Sequence, residues 1–433
     1  LTPPKAPPLK AARITTAVIE RRQFLPPLPT SQSFKWVAFA GCQSCRAASR
    51  KRRRQRQLLS GIFFAMVPIL PAEDFSSAAP NLISKDTRLW TESMLWSEAA
   101  EITSGIGYRD NILLSPFHPQ GSGFFVNGLD FMTTRLPLDG WQIVGSVVGS
   151  DTHFWNDAGA RREDLLHASG RVERELPGGW QAGLELRGQY EDQVLDISTS
   201  QGTPATALVE GEGFTVQPTL KKILPAGVSL KVELPIASWN FESPLDNYSE
   251  LGPVLTAAWS VKTSTEISMS YSYTDQPHDA WLALDAYGGP LPQRLEIQIQ
   301  KIELAWDQSW DASQHWHTST RLIYPEKQDN GGGFFNYDEY EVVEDFRWRT
   351  DNWQIQVSGL LAYEDYPVQT SVQHGSQTLY RNTLDLSLEA ERRIYKNLKT
   401  YAQLDYQRAL SNEILGAGNY HSATVSGGLR YEF

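Results

Sequence analysis

A two-residue hydrophobic period sustained over long segments restricts this chain more than any other feature. Trp180, Ala182, Leu184, Leu186, Gly188 and Tyr190 alternate with Gln181, Gly183, Glu185, Arg187 and Gln189. The same pattern fills 228–234, 267–273 and 353–359. Neighbouring side chains of a strand point to opposite faces, so each segment has one apolar and one polar wall. Segments of about ten residues also exceed the usual soluble strand of about five or six. The whole chain is mildly hydrophilic, with mean hydropathy −0.38. Helical membrane spans need apolar runs of roughly 18 or more residues, so that class is excluded.

Connections of two lengths alternate along the chain. Short Gly-, Pro-, Asn- or Asp-containing turns fall at 137–140, 177–179, 225–227, 262–264, 311–314, 350–352 and 395–397. These residue types supply the backbone angles of tight hairpins. Longer polar stretches lie near 110–122, 152–163, 191–212, 242–250, 275–293, 325–339, 364–378 and 409–419. The expected fold is all-β: a transmembrane antiparallel up-and-down β-barrel of about 16 strands, with short periplasmic turns, long extracellular loops and both ends on the turn side. Closure pairs every backbone group, which a membrane demands. A change of phase around Ile299–Ile302 predicts a bulge there. The strongest soluble rival is a secreted β-propeller-like binding protein, because short turns recur at about a blade's length; no blade signature accompanies them.

Aromatics fall where membrane interfaces would put them. Trp141, Trp180 and Trp353 follow short turns, while Tyr190, Tyr273 and Tyr363 mark the loop-side strand ends. Amphipathic rings favour the headgroup level, one girdle at each interface.

The chain ends in Val425, Gly427, Leu429, Tyr431 and Phe433, alternating to a terminal aromatic. This ending resembles that of Gram-negative outer-membrane β-barrel proteins. The resemblance covers about residues 97–433. It implies a bacterial outer-membrane location, contact with membrane lipid and lipopolysaccharide, and recognition of the last strand, ending in Phe433, by the barrel-assembly machinery. Residues 104–115 also look like the opening strand and first loop of uncharacterised porin-like families. General porins, which this architecture resembles, are often oligomers and fold the third loop, here 191–212, into the lumen.

Charge divides the chain in two. Residues 1–72 hold 13 Lys and Arg against one acid, Glu20, although the whole carries a net −11. Residues 50–72 combine a basic stretch, a 13-residue apolar run and a small residue at Ala72, the parts of a cleaved secretory signal. Residues 1–49 are read as an over-extended reading frame, and 73–96 as a short periplasmic segment. Both cysteines, Cys42 and Cys45, lie upstream of the signal, with no second pair to complete a metal site. The acidic remainder argues against nucleic acid as a partner.

Alternation places a charged set on the inner wall: Arg171, Glu173, Glu185, Arg187, Lys231, Glu233, Glu341, Asp345, Arg347, Arg349, Asp385, Glu389, Glu391, Asp405 and Arg430. Two readings stand side by side. Opposed charges could set up a transverse field acting on polar solutes, or they could pair and brace the lumen. Four of the long stretches, 191–212, 242–250, 275–293 and 364–378, contain acids but no Lys or Arg. An acidic vestibule favours cations. The expected function is a porin-like channel for passive transport of small hydrophilic solutes, cation-preferring; the alternative is a plugged barrel serving as a structural scaffold. Catalytic and cofactor signals are thin. His315 and His317 lack a third metal ligand nearby, His167 with Ser169 is the only same-face nucleophile–base pair, and Asn330–Gly333 lacks the Lys and Ser/Thr of a phosphate loop. Neither catalysis nor a metal or cofactor is expected.

Overall fold

The computed structural model describes residues 96–433 apart from 136, 138–139, 157–158, 197–205, 243, 372–376 and 414–418. The upstream segment, the signal sequence, Cys42, Cys45 and residues 73–95 lie outside the described residues.

Sixteen antiparallel strands form one closed sheet. They are β1 (Trp96–Arg109), β2 (Ser122–Arg135), β3 (Trp141–Phe154), β4 (Arg162–Leu176), β5 (Trp180–Asp196) and β6 (Thr206–Ile223). Next come β7 (Val228–Glu233, resuming as Ile236–Phe241) and β8 (Tyr248–Leu251, resuming as Val254–Lys262). The circuit continues through β9 (Thr265–Leu284), β10 (Pro290–Ser309), β11 (Trp316–Asp329) and β12 (Tyr337–Arg349). It ends with β13 (Trp353–Thr370), β14 (Thr378–Tyr395), β15 (Leu398–Ser411) and β16 (Tyr420–Glu432). Each strand pairs with its sequence neighbours, and β16 pairs with β1 from Glu101↔Glu432 to Arg109↔Thr424. A closed circuit of this kind rules out the propeller.

The interruptions of β7 and β8 lie side by side, since Ile236 is paired with Leu251. Pro235 and Pro253 have no N–H for the ladder, so regular pairing stops there. Gly252 fits only as glycine: a Cβ there would sit 1.7 Å from the Tyr273 carbonyl oxygen.

Two sequence expectations need correction. The strands run well past ten residues; β9 and β10 have 20 each. Most of 275–293 and much of 191–212 are therefore strand rather than loop. Where the walls stop dividing into apolar and polar, periodicity hides a strand, yet the ladder goes on, unbroken between β5 and β6 and with register shifts after Pro277 and Leu282 between β9 and β10. Nor is there a bulge at Ile299–Ile302, where pairing with both neighbours is unbroken. The phase changes because the inner wall itself becomes apolar there: Leu295 and Ile297 are buried inside the mouth, while Ile302 and Leu304 are exposed outside.

The outer wall is an apolar belt. Leu184, Leu186, Leu220, Val232, Leu255, Met269, Leu304 and Leu361 are all exposed. A continuous apolar surface of that extent marks contact with a non-aqueous phase or a protein. A row of outward tyrosines closes the belt on the loop side, with Tyr324, Tyr340, Tyr363 and Tyr380 at successive ring separations of 5.1, 6.4 and 6.1 Å. Tryptophans close it on the turn side, Trp141, Trp180 and Trp353 each opening a strand.

Candidate functional site

The inner wall inverts this chemistry. Because its side chains recur every second residue, opposite charges two apart on one strand meet on the same face. Arg187 Nε lies 2.6 Å from Glu185, Lys231 Nζ 2.9 Å from Glu233, and Arg171 Nε 3.5 Å from Glu173. Lys301 and Glu303 add a fourth such pair at 3.5 Å. Charge is thus neutralised within strands more than opposed across the lumen, which shortens the range of any transverse field. Other contacts bridge strands: Arg321 reaches Asp345 at 3.4 Å, and Ser387 donates to Asp405 at 2.6 Å. Glu341, Arg347, Arg349 and Asp385 belong to the same inward rows by register. Lys301, Glu303 and Arg321 escaped the sequence reading; the phase change at 299–302 masked the first two.

A denser cluster sits at the turn side, where the barrel closes. Arg430 Nη1 lies 2.6 Å from Glu389, also contacts Glu391, and its Nε is 3.7 Å from Glu101. Lys399 Nζ is 2.6 Å from Glu432 and 3.4 Å from both Glu101 and Glu391. The Arg430 guanidinium also lies 4.5 Å from the centre of the Tyr401 ring. Four strands, β14, β15, β16 and β1, are therefore tied across the seam.

The loop-side mouth carries the only sizeable apolar packing among the described residues, and it lies within the barrel. One core joins Val209, Trp239, Leu245, Tyr248, Trp281, Leu295, Ile297 and Phe335. The other joins Ile112, Leu114, Phe124, Phe154, Ala160, Val194, Ala409 and Tyr420. Val194 and Val209 stand on the two arms of the β5–β6 hairpin, so this hairpin seats between both cores. Its Asp196 ion-pairs with Arg381 on β14, seven strands away around the wall, with both side chains buried. The loop-side end of β5 thus reaches across the mouth; the residues that join it to β6, 197–205, lie outside the described residues.

Rings stack on the β7–β9 side of that mouth. Trp239 and Phe241 are 6.0 Å apart and nearly parallel, and His278 lies 5.3 Å from Trp281. Asp246 accepts the backbone N–H of Ala280 and Trp281 at 2.9 and 2.7 Å, pinning the β9–β10 hairpin inward.

Two groups there, on the loop side of the tyrosine row, titrate in opposite senses. Burial pushes Glu250 up to about 7, from an ordinary 4.5, against a hydrogen bond from Trp239. Its stabilising contribution is complete below 4.5 and is lost as pH rises through about 7. Burial lowers His278 from 6.5, with Lys327 adding to the shift and Asp246 and Asp279 opposing it. Its contribution is complete above 6.5 and is lost as pH falls. We expect Glu250→Gln to abolish the alkaline loosening and His278→Phe the acid loosening. Protease cleavage rates of the loop side from about pH 5 to about pH 8 measure this; unchanged profiles in both variants would refute it.

The remaining sequence candidates fall apart geometrically. His315 contacts Asp311 at 3.1 Å within a turn, while His317 Nδ1 meets the Ser309 hydroxyl at 3.1 Å. Ser169 shares a 2.7 Å hydrogen bond with Ser146. Among the described residues no three His, Cys, Asp or Glu side chains form a metal-binding group. Tyr190, Tyr273 and Tyr363 stand on outward rows near the loop side, and Phe433 packs against Tyr431 at 4.9 Å.

No family model matches the chain, and no curated protein does. Among solved structures, OccAB4 of Acinetobacter baumannii aligns over 78% of this chain and 98% of its own, at 8% identity and a TM-score of 0.42. OccAB3 of the same organism aligns over 78% and 99%, at 11% identity and TM-score 0.39. A mutant Rhodopseudomonas blastica porin aligns over 78% and 100%, at 11% identity and TM-score 0.33. Likenesses this loose carry no functional weight.

Proposed function

We propose that this barrel resides in a bacterial outer membrane and passes small hydrophilic solutes passively through its lumen. The observation that carries the reading is the reversal of chemistry across one wall. Apolar side chains are exposed outside between two aromatic rows, while ion pairs and hydroxyls line the inside. Lipid satisfies the first surface and water the second. Sixteen strands enclose a lumen wide enough for water and solute. Carboxylates outnumber bases on the inward rows and on the loops, which favours cations over anions. The terminal strand ending in Phe433 fits recognition by an assembly machinery, with lipopolysaccharide as the outer neighbour and a second copy as a further partner. Catalysis has no part in this reading.

The apolar cores and the seated β5–β6 hairpin favour a second reading, a closed scaffold. Planar-bilayer recording of the refolded chain under a KCl gradient separates the two. A steady current with a cation-biased reversal potential is expected; insertion without current would leave the scaffold.

One residue violates the belt. Glu344 occupies an outward position in the middle of β12, paired laterally with Thr320 and Gly359. A carboxyl group facing hydrocarbon costs stability, though less than the about 2–4 kcal/mol of a base at mid-depth. Glu344→Leu should raise the urea midpoint of the barrel in vesicles; a lower midpoint would show that this face is not turned to lipid.

A further inference from the structure

The turn-side aromatic row has two kinds of arc. On β1–β6 and on β13–β14, the tryptophan that opens each odd strand stands opposite a base near the end of the next. The register partners are Trp96↔Arg135, Trp141↔Arg174, Trp180↔Lys222 and Trp353↔Arg392. In three of the four the cation lies over the indole, 4.9 Å away for Arg174, 4.8 Å for Lys222 and 5.2 Å for Arg392. On the opposite arc tryptophans face apolar partners instead: Val228↔Trp259, Ile267↔Trp306 and Trp316↔Trp348. A base is therefore not a routine companion of tryptophan in this girdle.

We propose that the four Trp–base pairs bind the phosphate of anionic glycerophospholipids in the turn-side leaflet. The inference rests on the membrane reading above. An indole settles at headgroup depth. A cation held over its face keeps its charge there while its stem covers apolar surface. One carboxylate, Glu98, faces outward on the same arc, but the opposite rim is carboxylate-rich. Asp164 stands directly across from Asp192, Asp192 from Glu210, and Asp338 from Asp365. Phosphate is thus attracted at one rim and repelled at the other, and the complementary ligand is an anionic headgroup on the turn side.

The full chain refolded into phosphatidylcholine vesicles, with brominated phosphatidylglycerol or brominated phosphatidylcholine added, tests this through tryptophan quenching. Heat-modifiable migration in SDS confirms insertion in each sample. The expected result is a preference for phosphatidylglycerol of about fivefold, the effect of roughly one base beside an anionic surface, weakening with salt. In Arg174→Gln/Arg392→Gln the preference should fall toward unity while insertion into pure phosphatidylcholine is retained. Equal quenching by the two lipids in an inserted barrel overturns the proposal and leaves the membrane reading intact. A preference unchanged in the double variant also overturns it, as does one erased by inorganic phosphate, which would make the site one for the free anion. A chain that enters neither bilayer overturns the membrane reading and this proposal with it.

Discussion

Arg381→Met is expected to raise single-channel conductance and the noise of the open level. Its guanidinium is the far anchor of the β5–β6 hairpin, and the Asp196 carboxylate it meets is equally shielded, with side-chain exposures of 7% and 9%. Removing one partner of a buried pair costs about 3–5 kcal/mol, because the other charge is stranded. The Tyr420 hydroxyl still bonds Asp196 but leaves its charge unbalanced, and full hydration requires the hairpin to swing off the mouth, taking Val194 and Val209 out of their cores. The Asp196→Asn/Arg381→Met double variant strands no charge and should recover part of the seating, a coupling that a double-mutant cycle reads directly. Recordings at unchanged conductance in both variants would show that the hairpin does not limit flow.

The seam carries the second large effect. Arg430→Met takes the guanidinium from Glu389 and leaves Glu101 and Glu391 to share Lys399 with Glu432. Only 3% of the Glu391 side chain is exposed, so solvent compensates it poorly. A loss of about 3–5 kcal/mol is expected, seen as a lower urea midpoint in vesicles and a lower temperature for the SDS mobility shift. Lys399→Met should act in the same direction, and the two together by less than the sum, since both hold Glu101 and Glu391. Arg430→Lys should fall between, keeping the charge but losing the fork that spans Glu389 and Glu391. Wild-type stability in Arg430→Met would mean that the ladder alone closes the barrel.

Strand number and closure were legible because the outer wall must be apolar wherever the inner is polar, and that demand writes itself into every second residue. Its reach stops where the demand stops. Above the tyrosine row the walls no longer divide into one apolar and one polar, and the register shifts after Pro277 and Leu282, so 275–284 and 290–293 read as loop although they are paired strand. Inside the mouth the inner wall is apolar, so Ile297 and Ile299 read as a slip of phase although the register is intact. The spacing of two between charges read onto the inner wall was visible in Arg171-Val172-Glu173. What alternation cannot state is whether a charge finds its partner along the strand or across the lumen. Asp196 and Arg381 are 185 residues apart, and only the bend of one hairpin brings them together.

The junction of first and last strands also bears on how the molecule comes to exist. Hairpins joined by short turns can zip locally, but the β1–β16 ladder joins the two ends of the sheet, and the contact beside it from Lys399 on β15 to Glu101 spans 298 residues. Contacts so distant in sequence form late and slowly. Until they form, the sheet has two free edges together with its whole apolar wall, the combination most prone to recruiting another chain. The yield of native barrel is therefore decided by a race between ring closure and aggregation, and the contacts of Arg430 and Lys399 with Glu101, which form only when the ends meet, shift that race by slowing reopening.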